Sequence, residues 1–149
     1  MLLLLPLSAQ DLTEGEQLLQ GGRYHDAMKY YSTILQSYPG NTAVLNGLAE
    51  GQHRSGDPMT AIKNYKKSLS IDPQQPNTWI SMGNIQYYHQ QYSEGEFSYR
   101  EAICLEPENP RAHNNLASVL KEQQKLDQAI LHFEKAFELD PQYALACRN

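Results

Sequence analysis

The stretch LSIDP at residues 69–73 recurs as ICLEP at residues 103–107 and as FELDP at residues 137–141. A proline has no backbone N–H and keeps the residue before it out of the helical conformation, so each stretch is expected to end a helix. The prolines recur at a constant spacing of 34 residues, as Pro39, Pro73, Pro107 and Pro141. This spacing predicts four copies of one structural unit.

Three further sets of residues keep the same spacing. Two sets are small, as expected where two helices approach so closely that a larger side chain would push them apart. The third set is aromatic and lies one helical turn after the first small set, where its rings are expected to be buried along one apolar stripe. The sets are Ala27, Ala61, Gly95 and Ala129; Gly15, Ala49, Gly83 and Ala117; and Tyr31, Tyr65, Tyr99 and Phe133.

Turn-forming residues divide each copy into two helices. Gly21-Gly22 and Ser55-Gly56-Asp57-Pro58 mark the division clearly, whereas Gln90-Gln91 and Gln123-Gln124 mark it less well. Asp11 with Glu14 predicts a capping box at the first helix. The predicted helices cover residues 11–20 and 24–38, 43–54 and 58–71, 77–89 and 92–105, and 110–122 and 126–139, with part of a ninth helix at 142–149.

These repeating positions, together with Trp79, Gly83 and Tyr92 in one copy, make the chain similar to the tetratricopeptide repeat family over residues 8–141. The resemblance implies an all-α, right-handed superhelical solenoid of antiparallel helix pairs. It also implies a protein–protein interaction module whose first helices line a concave groove. The expected repeats are residues 8–41, 42–75, 76–109 and 110–143, followed at 144–149 by the start of a capping helix or of a fifth repeat.

The composition excludes several other classes of function. A net charge of −5 over 149 residues provides no basic surface for a phosphate backbone, so nucleic acid is not an expected partner. No apolar run reaches the roughly 18 residues of a transmembrane helix. The two cysteines, Cys104 and Cys147, are too few for a disulfide framework or a zinc site.

Residues 1–9 read MLLLLPLSA and allow two interpretations. One is the remnant of a secretory signal cleaved after Ala9, which would make the protein exported or periplasmic. Against it, no basic residue precedes the leucines, and Leu7 stands where a small side chain is preferred. The other interpretation is an apolar arm folded back over the first helix pair of a cytoplasmic protein.

The titratable residues form no catalytic or metal-binding pattern. The histidines do not pair at spacings of three or four residues, and His113 stands in the position of Trp79, where it is expected to pack rather than to bind a ligand. Gly21-Gly22 ends a helix and does not form a phosphate-binding loop. We therefore expect no enzyme activity, no cofactor and no metal.

The expected function lies on the groove. Its wall is rich in amides and aromatic rings, which suit an extended peptide because amides bind its backbone and rings take its side chains. The predicted groove residues are Asn46, Glu50, His53, Arg54, Ile80, Asn84, Tyr87, Tyr88, Arg111, Asn114, Asn115, Ser118 and Lys121.

Two groove chemistries of the family can be compared with this chain residue by residue. In the carboxylate clamp of chaperone adaptors, only Arg111 keeps the required type, and Glu50 would repel a carboxylate, so a clamp is not expected. The stretch at residues 112–120 is similar to a repeat of the O-linked N-acetylglucosamine transferases, which hold a peptide backbone with a ladder of asparagines. Asn115 matches a rung of that ladder, whereas its counterparts in the other three copies do not.

Three functional hypotheses follow. The first is a scaffold that binds an extended peptide or a partner helix in the groove. The alternative is a regulatory or targeting fragment of a larger enzyme such as a glycosyltransferase, which a repeat interrupted at residues 144–149 would fit. The third is self-association, in which the groove of one copy receives the N-terminal arm of another.

Overall fold

A computed structural model describes residues 9–142, with side chains from residue 12 onward, and every regular element in that range is an α-helix. The helices are α1 (Ala9–Gln20), α2 (Tyr24–Ser37), α3 (Thr42–Arg54), α4 (Pro58–Ile71), α5 (Pro76–Tyr88), α6 (Tyr92–Leu105), α7 (Pro110–Glu122) and α8 (Leu126–Leu139). The predicted ends agree with these bounds to within two residues. The predicted leader, the Asp11 side chain of the capping box, the ninth helix and Cys147 lie outside the described residues.

The turns inside the repeats share one backbone conformation despite their different sequences. Gly22 and Gly56 have φ values of 73° and 94°, which glycine adopts without strain. Gln90 and Gln124 occupy the same position in the third and fourth repeats, at the 34-residue spacing, and have positive φ values of 59° and 62°. The turns that the sequence marks less well are therefore formed in the same way.

The helices divide into two units, α1–α4 and α5–α8, with the division after Pro73. In the first unit, three hydrogen bonds join α3 to α4, from Asn64 to Gln52 (2.8 Å), from Tyr65 to Glu50 (3.2 Å) and from Ser68 to the carbonyl of Thr42 (3.4 Å). The residue numbers fall along one helix as they rise along the other, so the two helices are antiparallel.

The ring of Tyr31 occupies the centre of the first unit. It is 2% exposed and belongs to the core that Ala27, Val44 and Leu48 also form. The backbones of Gly15 and Gly47 lie so close to this ring that a Cβ on either would overlap it. The small residue at Gly15 therefore accommodates an aromatic ring, whereas the sequence suggested that it accommodates a facing helix.

The second unit repeats this relation. A Cβ on Gly83 would lie 2.8 Å from the buried ring of Tyr99. A Cβ on Gly95, in the other small set, would lie 3.6 Å from the carbonyl oxygen of Gly83, so this set does mark a close approach between two helices. The core of this unit is completed by Ala112, Leu116, Val119 and Leu120 on α7.

Ala61 offers a test of this packing, because its side chain is fully buried within the first unit. We expect Ala61→Leu to lower the free energy of unfolding by about 1–3 kcal/mol through overpacking. Urea denaturation measures the change, and Lys63→Leu, on the exposed face of the same helix, is the control. Full stability in the Ala61 variant would show that the assumed pairing of α3 and α4 is incorrect.

Candidate functional site

The predicted groove residues of the first unit lie on α3, and two of them form an ion pair. The side chain of Arg54 pairs with that of Glu50, and its guanidinium lies 6.0 Å from the centre of the Tyr24 ring. Hydrogen bonds to Glu50 and then to Tyr24 raise the pKa of Arg54. Glu50 also accepts a hydrogen bond from the Tyr65 hydroxyl, so this carboxylate has partners on α3 and α4.

Two further residues of this set, Asn46 and His53, are half-buried on α3. The Nδ1 atom of His53 is buried and has no hydrogen-bond partner among the described residues. A buried imidazole nitrogen without a hydrogen bond lowers the stability of the fold. A ligand group that formed this bond to His53 would therefore remove that cost.

In the second unit, one atom of Asn84 joins three helices. Its Oδ1 accepts a hydrogen bond from the hydroxyl of Tyr99 at 2.7 Å and another from Nδ2 of Asn115 at 2.8 Å. The three residues lie on α5, α6 and α7. Asn84 and Asn115, both predicted as peptide ligands, therefore hold one another in place, and Nδ2 of Asn84 and Oδ1 of Asn115 take no part in these two bonds.

Two predicted groove residues are buried, which corrects the prediction that a ligand reaches their side chains. Ile80 is 0% exposed, because Tyr99 on α6 and Leu116 on α7 close over it. Asn114 is also buried, and its carbonyl accepts a hydrogen bond from Ser118 at 3.0 Å. Helix periodicity places these positions near the groove. It cannot predict which side chains of neighbouring helices cover them.

An aromatic cluster at the end of α5 is accessible. The ring of Tyr87 lies 5.7 Å from that of Tyr88 and 6.0 Å from that of Tyr92. Tyr88 is 75% exposed, which is unusual for so large a ring. Tyr87 is half-buried, and burial, the charge of Glu122 and the neighbouring tyrosines raise the pKa of its phenol.

Helix α7 carries two exposed cations, Arg111 near its start and Lys121 near its end. Arg111 is exposed and reaches the Asn77 side chain of α5 at 3.4 Å. Lys121 is exposed, and its Nζ lies 4.0 Å from Oε1 of Glu122. They stand at the repeat positions that Asn77 and Tyr87 have on α5. The same two positions thus carry an amide and an aromatic ring on α5 and two cations on α7.

A pair of histidines joins α7 to α8, and the sequence did not indicate it. The Nδ1 atoms of His113 and His132 lie 2.9 Å apart, and Nε2 of His113 lies 2.9 Å from the carbonyl oxygen of Pro107. Because a carbonyl only accepts, His113 donates a hydrogen bond from Nε2 and accepts one at Nδ1 from the Nδ1–H of His132. The repeat position of His113 could have indicated this contact. Its counterpart Trp79 also contacts the second helix of its own repeat, through Phe97.

This pair predicts a dependence of stability on pH. Burial, His113 and Arg100 lower the pKa of His132, so the unfolded chain binds a proton there more readily than the folded chain. Stability is therefore complete above the ordinary histidine pKa of about 6.5 and declines as the pH falls below it. We expect the melting temperature of His132→Gln to decline less than that of the wild type between about pH 7.5 and pH 5.5.

The control for this experiment is His25→Gln, because His25 is exposed on α2. Its melting temperature should follow pH as the wild type does. Parallel curves for all three proteins would contradict a role for the His113–His132 pair in the pH dependence.

Other kinds of site have no support among the described residues. Between residues 9 and 142, no three His, Cys, Asp or Glu side chains converge in a way that could hold a metal ion. None of the helices in that range is both long and apolar enough to cross a membrane.

Comparisons with known proteins agree with this architecture. Two family models, both described as tetratricopeptide repeat, match residues 12–76 and residues 110–143. A comparison with curated proteins gives no match.

Solved structures share the fold. The crystal structure of MamA has a TM-score of 0.81 at 21% identity, covering 92% of this chain and 77% of that one. A MamA fragment from Desulfovibrio magneticus RS-1 has a TM-score of 0.81 at 19% identity, covering 89% and 75%. PilF of Pseudomonas aeruginosa has a TM-score of 0.82 at 26% identity, covering 89% of this chain and 60% of that one.

The sequence matches and the shared fold lead to the same family. The two segments that the family models match, residues 12–76 and 110–143, together span more than half of the chain. This protein belongs to the tetratricopeptide repeat family.

Proposed function

We propose that this protein is an interaction scaffold that binds an extended peptide along the first helices of its second unit. Tetratricopeptide repeats are in general non-catalytic modules for protein interaction. The observation that supports the proposal most directly is the accessible cluster of Tyr87 and Tyr88, which offers flat apolar area with a polar edge.

Polar groups along α5 and α7 complement a peptide backbone and an acidic side chain. Nδ2 of Asn84 is a donor on the same face, held in orientation by the two bonds to its Oδ1. Arg111 and Lys121 contribute exposed positive charge on α7. Because charges at the border of an interface contribute more to orientation than to affinity, we expect these cations to select the direction of the peptide and to favour acidic residues in it.

Tyr88→Ala is expected to weaken peptide binding about tenfold, or about 1–2 kcal/mol, the usual scale for an aromatic anchor. The probes are peptides selected from a random display library with the wild-type protein as bait, and fluorescence anisotropy measures the dissociation constant. Because Tyr88 is largely exposed, the variant should keep the thermal stability of the wild type.

Phe97→Ala is the matched control, since Phe97 is also an exposed aromatic residue of the second unit but lies on a second helix, α6. Its affinity for the selected peptides should equal that of the wild type. Peptides that bind both variants and the wild type equally would show that ligands use another surface.

A further inference from the structure

The outer side of helix α4 carries positive charge alone. Lys63, Lys66 and Lys67, here called the lysine face, are all exposed, and the second and third stand three and four residues after the first, on the same side of the helix. Helix α4 contains no aspartate or glutamate. The opposite side of the helix is buried at Ala61, Ile62, Tyr65, Ser68 and Leu69.

The protein itself does not pair these charges. None of the three lysines forms an ion pair with any residue that the structure describes. The carboxylate of Asp57, whose charge interacts with Lys63, caps the start of α4 by accepting from the backbone N–H of Thr60 at 3.1 Å. Like charges three and four residues apart on a helix repel. An acidic partner would therefore relieve a repulsion that the fold leaves in place.

Helix α2 has no carboxylate at the matching positions. The counterparts on α2 of the exposed α4 positions 59, 63, 66, 67 and 70 are His25, Lys29, Ser32, Thr33 and Gln36, and all five are exposed. Lys29 stands at the repeat position of Lys63. Asp26, at the border of this side, already pairs with Arg23 at 2.8 Å. The outer sides of both second helices of the first unit are thus basic or neutral.

Helix packing does not require lysine at these positions. In the second unit, the counterparts of Lys63 are Phe97 on α6 and Leu131 on α8. The counterparts of Lys67 are Glu101 and Lys135. The same position of a second helix thus accepts an apolar, an acidic or a basic side chain, so the fold alone does not account for the lysine face.

A contact in the second unit indicates what such a face binds. Lys125, just before α8, donates to Glu96 on α6 at 2.7 Å. Arg100 on α6 also reaches Gln128 on α8 at 3.4 Å. Lysine and glutamate on neighbouring helices therefore pair at the surface of this fold. By charge complementarity, the helix that fits the lysine face has aspartate or glutamate at positions three and four apart.

Met59 adds one apolar contact to this face. It stands four residues before Lys63, on the same side of α4, and is 52% exposed. A methionine side chain adapts its shape to different partners. The fitting helix therefore has an apolar residue at one end of its acidic row.

Other anionic occupants fit less well. The net charge of −5 opposes the approach of a long phosphate backbone. Helices that bind a membrane surface present several large apolar side chains, whereas the lysine face is accompanied by Met59 alone. A second copy of this chain offers a mixed surface, because on α8 Lys135 stands beside Glu134 and pairs with Glu138 at 3.3 Å.

We propose that the lysine face docks an acidic helix of another protein. This interaction surface lies on the first unit and does not depend on peptide binding near Tyr88. Because exposed ion pairs are individually weak and are screened by salt, the contact contributes more to the rate and orientation of association than to affinity.

The probe is a synthetic helical peptide of alanine and glutamate, with the glutamates three and four residues apart and one leucine at its end. Added to the full chain at low salt, it should bind saturably in fluorescence anisotropy, and its affinity should fall as salt is added. The triple variant Lys63→Gln, Lys66→Gln, Lys67→Gln should bind it at least about fivefold more weakly.

The matched control is the triple variant Arg100→Gln, Lys125→Gln, Lys135→Gln, which removes the same amount of charge from the second unit. It should bind the peptide as the wild type does. A peptide with glutamine in place of every glutamate should not bind. Because the lysine face has no ion-pair partner in the fold, its triple variant should keep the melting temperature of the wild type or exceed it slightly.

Four results would overturn the proposal. They are failure of the acidic peptide to bind, equal binding of the acidic and glutamine peptides, equal loss of binding in both triple variants, and a lower melting temperature of the lysine-face variant. Tighter lysine-dependent binding to vesicles of phosphatidylcholine and phosphatidylglycerol than to the peptide would overturn it in favour of a membrane surface. Sedimentation showing self-association that the lysine-face variant loses would overturn it in favour of a second copy.

Discussion

Gly47→Ala is expected to lower the free energy of unfolding by about 3 kcal/mol, the upper end of the usual cost of overpacking. The added Cβ would overlap the ring of Tyr31, which also lies close to the backbone of Gly15 and is 2% exposed. The ring has no free space to move into, so α1 or α3 must shift. Urea denaturation measures the loss.

Titration of tyrosine absorbance provides an independent measurement for the same variant. Burial, Glu16 and Tyr30 raise the pKa of Tyr31 to about 12. If Gly47→Ala displaces the ring towards water, that pKa should fall towards its ordinary value of about 10. An unchanged titration together with reduced stability would place the strain elsewhere.

Two further variants separate packing from backbone effects. Gly40→Ala is the control, because nothing lies within 4 Å of a Cβ at Gly40, and its stability should be unchanged or slightly higher. Combining Gly47→Ala with Tyr31→Leu removes the ring that causes the overlap. The double variant should therefore lose less stability than the sum of the two single variants, and strict additivity would show that the two residues do not interact.

The helices could be predicted closely because their signals are local. A proline shortly after each second helix ends it in a way that depends on neighbouring residues alone, and at Asp72-Pro73 and Glu106-Pro107 the residue before it is acidic. The need for glycine at Gly47 could not be predicted by comparing the same position in the four repeats. It arises from the ring of Tyr31, which stands at a different position in the preceding repeat.

The candidate site was predicted less completely, for a related reason. The repeat register correctly gave exposed positions to Tyr88, Arg111 and Lys121. It did not reveal that Ile80 is covered by α6 and α7, since burial there depends on side chains from other helices. For the same reason it gave Asn84 a place in the groove and no role in holding the helices together.

Asn84→Ala is instead expected to lower the free energy of unfolding by about 3 kcal/mol. The change removes the acceptor of two hydrogen bonds, and a buried donor left without a partner costs about 1–3 kcal/mol. The hydroxyl of Tyr99 belongs to a nearly fully buried residue and loses the acceptor that lies 2.7 Å away. The amide of Asn115 loses a partner at 2.8 Å, and with it a link between α5 and α7.

Asn84→Asp is the conservative variant, because a carboxylate accepts from both Tyr99 and Asn115 as the amide oxygen does. The first unit already has this arrangement, in which Glu50 accepts from the hydroxyl of Tyr65 at 3.2 Å. We therefore expect Asn84→Asp to keep most of the stability that Asn84→Ala loses. Asn77→Ala, an exposed residue on the same helix with a longer contact of 3.4 Å, should lose little.

These variants also determine how peptide binding should be measured. A weaker affinity in Asn84→Ala would combine a lost donor with loosened packing of α5, α6 and α7. Asn84→Asp removes the Nδ2 donor and keeps the two accepted bonds, so it isolates the contact proposed for the peptide backbone. Wild-type stability in Asn84→Ala would mean that the bonds to Tyr99 and Asn115 contribute nothing to folding, and that Asn84 is a groove residue alone.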